Sequence, residues 1–517
     1  MPGPATPRVR RDVTKLQQDG GQWDRTLVLY ALAVQKMKAK DAGKQPGELA
    51  ATGWRFQTFI HGGAPDLGAA TPREWGQCPH GGWFFLPWHR AYLHYFERIV
   101  RETIRTEVDV PSGWEQDAAD WALPYWNYGR LADGEDGPQS RRCRELPPAF
   151  RQKKMPDGTT ANPLYRPDRE QGVNEGSFPD YAEVNPGVAM ASTVFATPPG
   201  VEGHNFGSGN IGDFWPKENW LSHVGYLENV PHNAIHGFVG GAMAFASSPD
   251  DPIFWLHHAN IDRLWAAWVD QGNANTTDDT WLTTPYHLRD ETGAPVRSDA
   301  RAVLDTARLG YVYESLSDGT GTAQGVGGAP WMAAVGSPDP LLAHSGPTTL
   351  SAREAHVSLT PAEEVDQPVS LLSSVVRPHT ARTAEARRVA EGRRLVLTIE
   401  NVRADAPPGT SYRVFVGARG KDDLDPASPH FVGHITFFGA TGGQSGRPGQ
   451  PAEGNTFSYD VTDVLRGLEQ DGRWNGELPS VTLVPAPVNY PSGPGVPEAL
   501  GSGAAQPRYE RLTLSVV

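Results

Sequence analysis

Glu228-Asn229-Val230-Pro231-His232-Asn233-Ala234-Ile235-His236 is followed closely by Asp251-Pro252-Ile253-Phe254-Trp255-Leu256-His257-His258-Ala259-Asn260-Ile261-Asp262-Arg263-Leu264-Trp265, and these two stretches decide the fold. His232 and His236 stand four residues apart. On a helix that spacing puts both imidazoles on one face, one above the other. Neutral imidazole suits copper, zinc, iron or nickel. A lone pair of this kind is more often two histidines on a half-buried helix face. The second histidine-bearing stretch and a matching set upstream turn the balance toward metal.

The upstream set is His61, His80 and His89. Pro87 suits the first turn of a helix, because its φ is already helical and its missing N–H is not needed there. From Trp88 onward, Tyr92, Phe96, Ile99, Val100 and Ile104 keep a helical apolar face, with His89 in the opening turn. His61 closes the apolar run Trp54, Phe56, Phe59, Ile60. Two sets of three histidines, each carried on a pair of helices, would hold two metal ions facing each other inside a helical bundle.

These stretches resemble the copper A and copper B motifs of type 3 copper proteins, namely tyrosinases, catechol oxidases and hemocyanins. "CPHGGWFFLPWHRAYLHYFER" (78–98) is similar to the copper A segment, and "ENVPHNAIHGFVGG" with "SPDDPIFWLHHANIDRLW" to copper B. "ALPYWNYG" (122–129) and the tyrosine motif "LGYVYE" (309–314) resemble further blocks of the same catalytic domain. The resemblance implies two copper ions. His61, His80 and His89 would hold one, and His232, His236 and His258 the other. Adjacent helical residues point about 100° apart, so His257 and His258 cannot both easily serve one ion. The family pattern selects His258 and leaves His257 structural.

The resemblance assigns further roles. Cys78, two before His80, matches a cysteine that some relatives join to the histidine ring by a thioether. A buried thiol or a disulfide with Cys143 is the plainer alternative. Glu228 and Asn233 match a pair that holds and orients a water, with Glu228 as a mere helix-start carboxylate the alternative. Ala246 aligns with a gate position over copper A, and Phe254 with an aromatic support beneath His258. Asp262, four after His258, fits either a partner behind the ligands or a helix-surface ion pair.

The rest of the chain fits a large globular protein of more than one domain. It has 517 residues, 16 of them tryptophan, and a net charge of −14. Such acidity disfavours nucleic acid and anionic membranes, and no apolar run reaches membrane-spanning length. Met1–Val13 lacks an apolar signal core, which points to the cytoplasm, a mature secreted form being the alternative. Two cysteines exclude a disulfide framework. Gln22–Lys40 reads as a first bundle helix, and 129–200 as an irregular excursion. Gly207–Gly212 spells G-x-G-x-x-G without the strand and helix that a dinucleotide site needs. His204 and His223 lie outside the copper motifs and read as polar loop positions.

Past Tyr313 the composition shifts to Gly, Thr and Ser, and 315–368 reads as a linker. From Val369 the period becomes two, with β-rich runs at 395–399, 412–416, 431–438, 457–461, 481–484 and 511–517. The expected architecture is a mainly α dicopper domain (1–314), built as a four-helix bundle with long loops, and a β-rich domain (369–517). The latter is a small antiparallel sandwich or barrel, similar to the C-terminal domain of plant-like polyphenol oxidases that can cover the active site. The implied activity uses O2 to ortho-hydroxylate monophenols and oxidise o-diphenols to quinones. Small phenols are the implied partners. A catechol or o-aminophenol oxidase without hydroxylation is the first alternative. A hemocyanin-like oxygen carrier is the second, although this chain holds a single copper pair.

Overall fold

The computed structural model describes residues 6–16, 22–197, 205–212, 224–321, 340–363, 365–441 and 454–517. His204 and His223 lie outside these residues. The first helix, Arg25–Ala39, starts where Asp24 accepts a hydrogen bond from the Thr26 N–H, and it buries Leu27, Tyr30, Ala31, Val34 and Met37. Four further helices build the bundle: Trp54–His61, Phe85–Glu107, Ala234–Val239 and Ile253–Asp270. The long pair at 85–107 and 253–270 carries Phe96 and Trp255, whose rings stack. Fifteen residues of each of these two helices are buried, so both run through the core rather than along its rim.

The copper B segment is less regular than an i, i+4 helix. Glu228–Asn233 forms one wide π-type turn, with Val230 out of helical geometry, before the α-helix begins at Ala234. His232 sits in the wide turn and His236 in the α-helix, yet their ring centroids lie 4.5 Å apart. Such turns recur at functional sites because they re-aim side chains within a helix. Gly240 and Gly241 then turn the chain with positive φ. A Cβ on Gly241 would lie 2.4 Å from the Asp168 carbonyl oxygen, so the close approach needs glycine.

A buried ionic knot ties the bundle together behind the histidines. Asp262 accepts hydrogen bonds from Arg90, Arg10, Tyr311 and Tyr313. Arg10 also donates to Glu97 at 2.7 Å. Burial alone would raise the Asp262 carboxyl, but the Arg90 and Arg10 charges outweigh it and hold it low. The Arg8–Arg10 strand reaches this knot by pairing in parallel with Tyr311–Tyr313. Asp262 is therefore no helix-surface ion pair. It joins the helix of His89, through Arg90, to the helix of His258.

The second hydrophobic core belongs to two antiparallel sheets. One has the strand order 455–460, 395–402, 511–516, 341–345, 360–361, and the other 431–435, 412–416, 481–485, 355–357. The expected linker is thus part of the sandwich: Leu341–Ser345, Ala355–Val357 and Thr360–Pro361 are strands in it. These strands are too short to show a period-two pattern alone. The expectation of strand from Val369 also fails locally. Pro368–Val376 is a helix whose buried Leu372, Val375 and Val376 follow helical spacing.

The 129–200 excursion is where the β-rich region docks. Phe178–Pro179 adds a strand to Val488–Tyr490, which also pairs with Gly493–Gly495. Beside this strand, Arg413 donates to Glu183 at 2.8 and 2.9 Å and to Asp180 at 2.7 Å. The His434 ring lies 3.2 Å from Glu183 as well.

Candidate metal centre

Two groups of donor atoms, all buried except those of the half-buried His80, face each other in the bundle. His61, Cys78, His80 and His89 form one, and His232, His236, His257 and His258 the other. Within each group the potential ligand atoms lie within 4.8 Å of one another. The groups meet through His89 and His258, whose rings stack at 4.2 Å, and through His80 and His232 at 5.7 Å.

Whether such rings can hold a metal depends on which nitrogen carries the proton. A ring whose Nδ1–H donates to an oxygen presents a bare Nε2 lone pair. His61 Nδ1 lies 2.7 Å from the Ala246 carbonyl, His89 Nδ1 2.7 Å from the Phe85 carbonyl, and His236 Nδ1 2.6 Å from the Met243 carbonyl. His232 Nδ1 lies 2.8 Å from Asn233 Oδ1. Carbonyl oxygens only accept, so His61, His89 and His236 are fixed with Nε2 bare. His232 Nε2 is buried with no hydrogen-bond partner among the described residues. The Nε2 atoms of His236 and His258 lie 3.3 Å apart, aimed at common space.

Burial pushes His89, His236 and His258 well below the usual imidazole range, and His232 down to about 3. These rings are neutral at pH 7, as metal ligation requires. Two clusters of imidazole with no carboxylate ligand fit a pair of copper ions.

The remaining expected residues fall close by. Phe254 packs its ring 4.2 Å from His258 and 5.1 Å from His61. His257 turns toward the 122–129 block, where Tyr128 Oη lies 3.2 Å from its Nδ1. Ala246 acts through its backbone carbonyl on His61. Its Cβ fills the space where a Gly62 side chain would go, 2.8 Å from that position. No disulfide joins Cys78 to Cys143. The Cys78 sulfur lies 3.6 and 3.7 Å from the two ring nitrogens of His80, and 3.3 Å from His89 Nε2.

Glu228 is 1% exposed, and burial pushes its carboxyl up to about 7. It accepts from the Gly81 N–H, next to His80, at 2.8 Å, and from the Ser208 hydroxyl. Ser208 has φ 74°, an uncommon conformation for a residue with a side chain. It lies inside the G-x-G-x-x-G stretch, whose described residues 207–212 are neither strand nor helix, so no sequence signal marked it.

Two residues from the far end of the chain complete the site. The Phe438 ring stacks on His236 at 4.0 Å and stands 5.0 Å from His80 and 5.6 Å from His232. Thr436 Oγ1 meets Asn233 Nδ2 at 3.2 Å. A small cleft remains beside Phe438, lined by Asn233, Gly237, Pro407 and Ser411 among others. Neither Phe438 nor Thr436 carries a sequence signal, because both approach from the β sandwich.

Comparison with known proteins agrees with this geometry. Residues 51–271 match the family described as the common central domain of tyrosinase, and 275–319 match the polyphenol oxidase middle domain. Residues 347–490 match a domain of unknown function. Tyrosinase HcTyr1 of Hahella sp. (strain CCB-MM4) is 30% identical over 506 residues, covering 92% of this chain and 95% of that protein. Chloroplastic polyphenol oxidase E of Solanum lycopersicum is 26% identical, covering 88% and 71%. The structure of latent apple tyrosinase superimposes with a TM-score of 0.60 at 20% identity, covering 100% of this chain and 98% of that one. At that identity the last match speaks for the fold alone.

Proposed function

Because the chain belongs to the tyrosinase and polyphenol oxidase family of type 3 copper oxidases of phenols, we propose that it ortho-hydroxylates monophenols as well as oxidising o-diphenols to o-quinones. Two copper ions held by His61, His80 and His89 and by His232, His236 and His258 would supply the paired electrons that reduce O2. The observation that carries the hydroxylation reading is the placement of Glu228. A tyrosine-like phenol has a pKa near 10. It must lose its proton beside the metals to react, and at neutral pH that needs a base poised near 7. Glu228 is buried, pushed up to about 7, and lies between the His80 loop and the turn of His232. A water held between Glu228 and the Asn233 amide would take the phenolic proton and pass it to the carboxylate.

A second reading has its own support. Both Glu228 oxygens already accept hydrogen bonds, from Gly81 and Ser208. In that reading Glu228 only fixes the His80 loop, and the protein oxidises catechols or o-aminophenols without hydroxylating. Glu228→Gln and Asn233→Ala, compared with the parent on tyramine, catechol and o-aminophenol, decide between the two. Loss on tyramine with catechol oxidation kept supports the base. Equal loss on all substrates by variants that still hold both copper ions, or a parent that keeps both copper ions and never turns over tyramine after its β-rich region is removed, overturns it.

We also infer that the β-rich region covers the site. Phe438 lies on the face of His236 that an incoming phenol would meet, so substrate and Phe438 compete for one space. The Cys78–His80 thioether is likewise our reading. It is supported by a sulfur at nearly equal distance from both ring nitrogens, on the plane that contains the carbon between them.

A further inference from the structure

Thr436 belongs to the β sandwich, yet its hydrogen bonds reach a copper B histidine. The chain of contacts can be given a direction, because each group can only donate or only accept at a known atom. It starts at the His434 backbone carbonyl, which can only accept. Asn229 lies with Nδ2 2.6 Å from that carbonyl. The Asn229 amide is thereby oriented, and its Oδ1 must face Thr436, 2.8 Å away. A hydroxyl has one proton, and Thr436 gives it to Asn229 Oδ1. Toward Asn233 the hydroxyl can then only accept, and Asn233 Nδ2 lies 3.2 Å from it. That leaves Asn233 Oδ1 as the acceptor 2.8 Å from His232 Nδ1. The proton therefore sits on Nδ1 of His232, and its buried Nε2 is bare.

We propose that Thr436 is a positioning residue for copper B: through Asn229 and Asn233, the β sandwich fixes the tautomer and ring orientation of His232. The covering region would then be part of the metal site as well as a plug over it. Thr436 is 2% exposed, Asn233 3% and Asn229 8%, so these hydrogen bonds are sheltered from bulk water. The Glu228 backbone carbonyl also faces the His232 ring N–H, so the loss on removing Thr436 is partial. Direct partners behind metal ligands are worth 10- to 100-fold in metal affinity. For a shared bond one step further out we expect about three- to tenfold. The inference rests on the dicopper centre alone and not on which phenols react.

The test is copper retention by the full-length, copper-loaded chain against a competing chelator, read as copper per chain over time. Thr436→Val keeps the shape and removes the hydroxyl. It should release one of its two copper ions about three- to tenfold faster than the parent, while the other is released at the parent rate. Thr436→Ser should restore retention, and Thr436→Val added to Asn233→Ala should release copper no faster than Asn233→Ala alone. Hydrogen exchange at the Val488–Tyr490 amides reports whether the sandwich stays docked. Parent-like retention in Thr436→Val overturns the proposal. So does equal acceleration at both sites, or accelerated loss that Thr436→Ser fails to rescue. Accelerated loss explained by undocking at Val488–Tyr490 overturns it as well.

Discussion

Phe438→Ala should switch on the intact, uncleaved enzyme. The ring is 6% exposed, and its three histidine neighbours, His80, His232 and His236, all lie across the seam in the copper domain. Truncating a packed phenylalanine costs about 3 kcal/mol or more. Here that loss falls on the closed arrangement, since the ring's packing against the copper domain exists only when the site is covered. A substrate that needs the uncovered state binds in proportion to its population. About 3 kcal/mol lost from the closed arrangement alone corresponds to roughly a hundredfold gain in kcat/KM on catechol. Phe438→Leu, which keeps most of the apolar volume, should gain far less. The assay is the initial rate of quinone formation at catechol well below KM, with two copper ions per chain verified for each variant. A Phe438→Ala enzyme that keeps both copper ions and is no faster than the parent would refute the reasoning.

Arg413→Met should weaken docking, because it takes the guanidinium from the buried Glu183 carboxylate and leaves it the His434 ring; losing a buried charge's partner outright costs about 3–5 kcal/mol in other proteins, so the cost here is smaller. It is read as faster exchange of the Val488–Tyr490 amides together with higher activity of the uncleaved enzyme. The pH dependence of docking has a defined sign. Burial alone would raise Glu183, but Arg413 and His434 outweigh it and hold its carboxyl at about 2, against 4.5 for a free glutamate. A depressed carboxyl contributes stability above its unfolded value that is lost as pH falls through the folded one. The cover should stay docked at pH 5 and release between about pH 4 and 2, as followed by the same exchange; release between pH 5 and 7 contradicts it. His258→Ala should lower saturating copper by one ion per chain, measured by atomic absorption, while His257→Ala keeps two. After reduction and alkylation of the active protein, peptide mapping should find Cys143 alkylated and Cys78 not, with the Cys78–His80 peptide lighter by two hydrogens. An alkylated Cys78 rules out the thioether.

What the sequence determined by itself is local in origin. The spacing of Leu27, Tyr30, Val34 and Met37 encodes a helix, and the alternation of Leu395, Leu397 and Ile399 with Val396, Thr398 and Glu400 encodes a strand, because side-chain direction repeats every 3.6 or two residues. The histidine sets were legible for the same reason. His232 and His236 lie one turn apart, and His80 and His89 flank one loop-to-helix junction. The linker at 315–368 and the start of the β region were misread because strands of two to five residues are too short to show a period.

Only the tertiary structure decided the rest. Which nitrogen of each histidine is bare depends on carbonyls such as that of Ala246, 185 positions from His61. The meaning of the 129–200 excursion appeared only when Phe178–Pro179 paired with Val488–Tyr490. Ser208, Thr436 and Phe438 are ordinary residues in ordinary contexts. Thr436 meets Asn233 across 203 positions of chain. Contacts of that range leave no periodic trace in one sequence, because they are set by how whole domains dock and not by the conformational preferences of neighbouring residues.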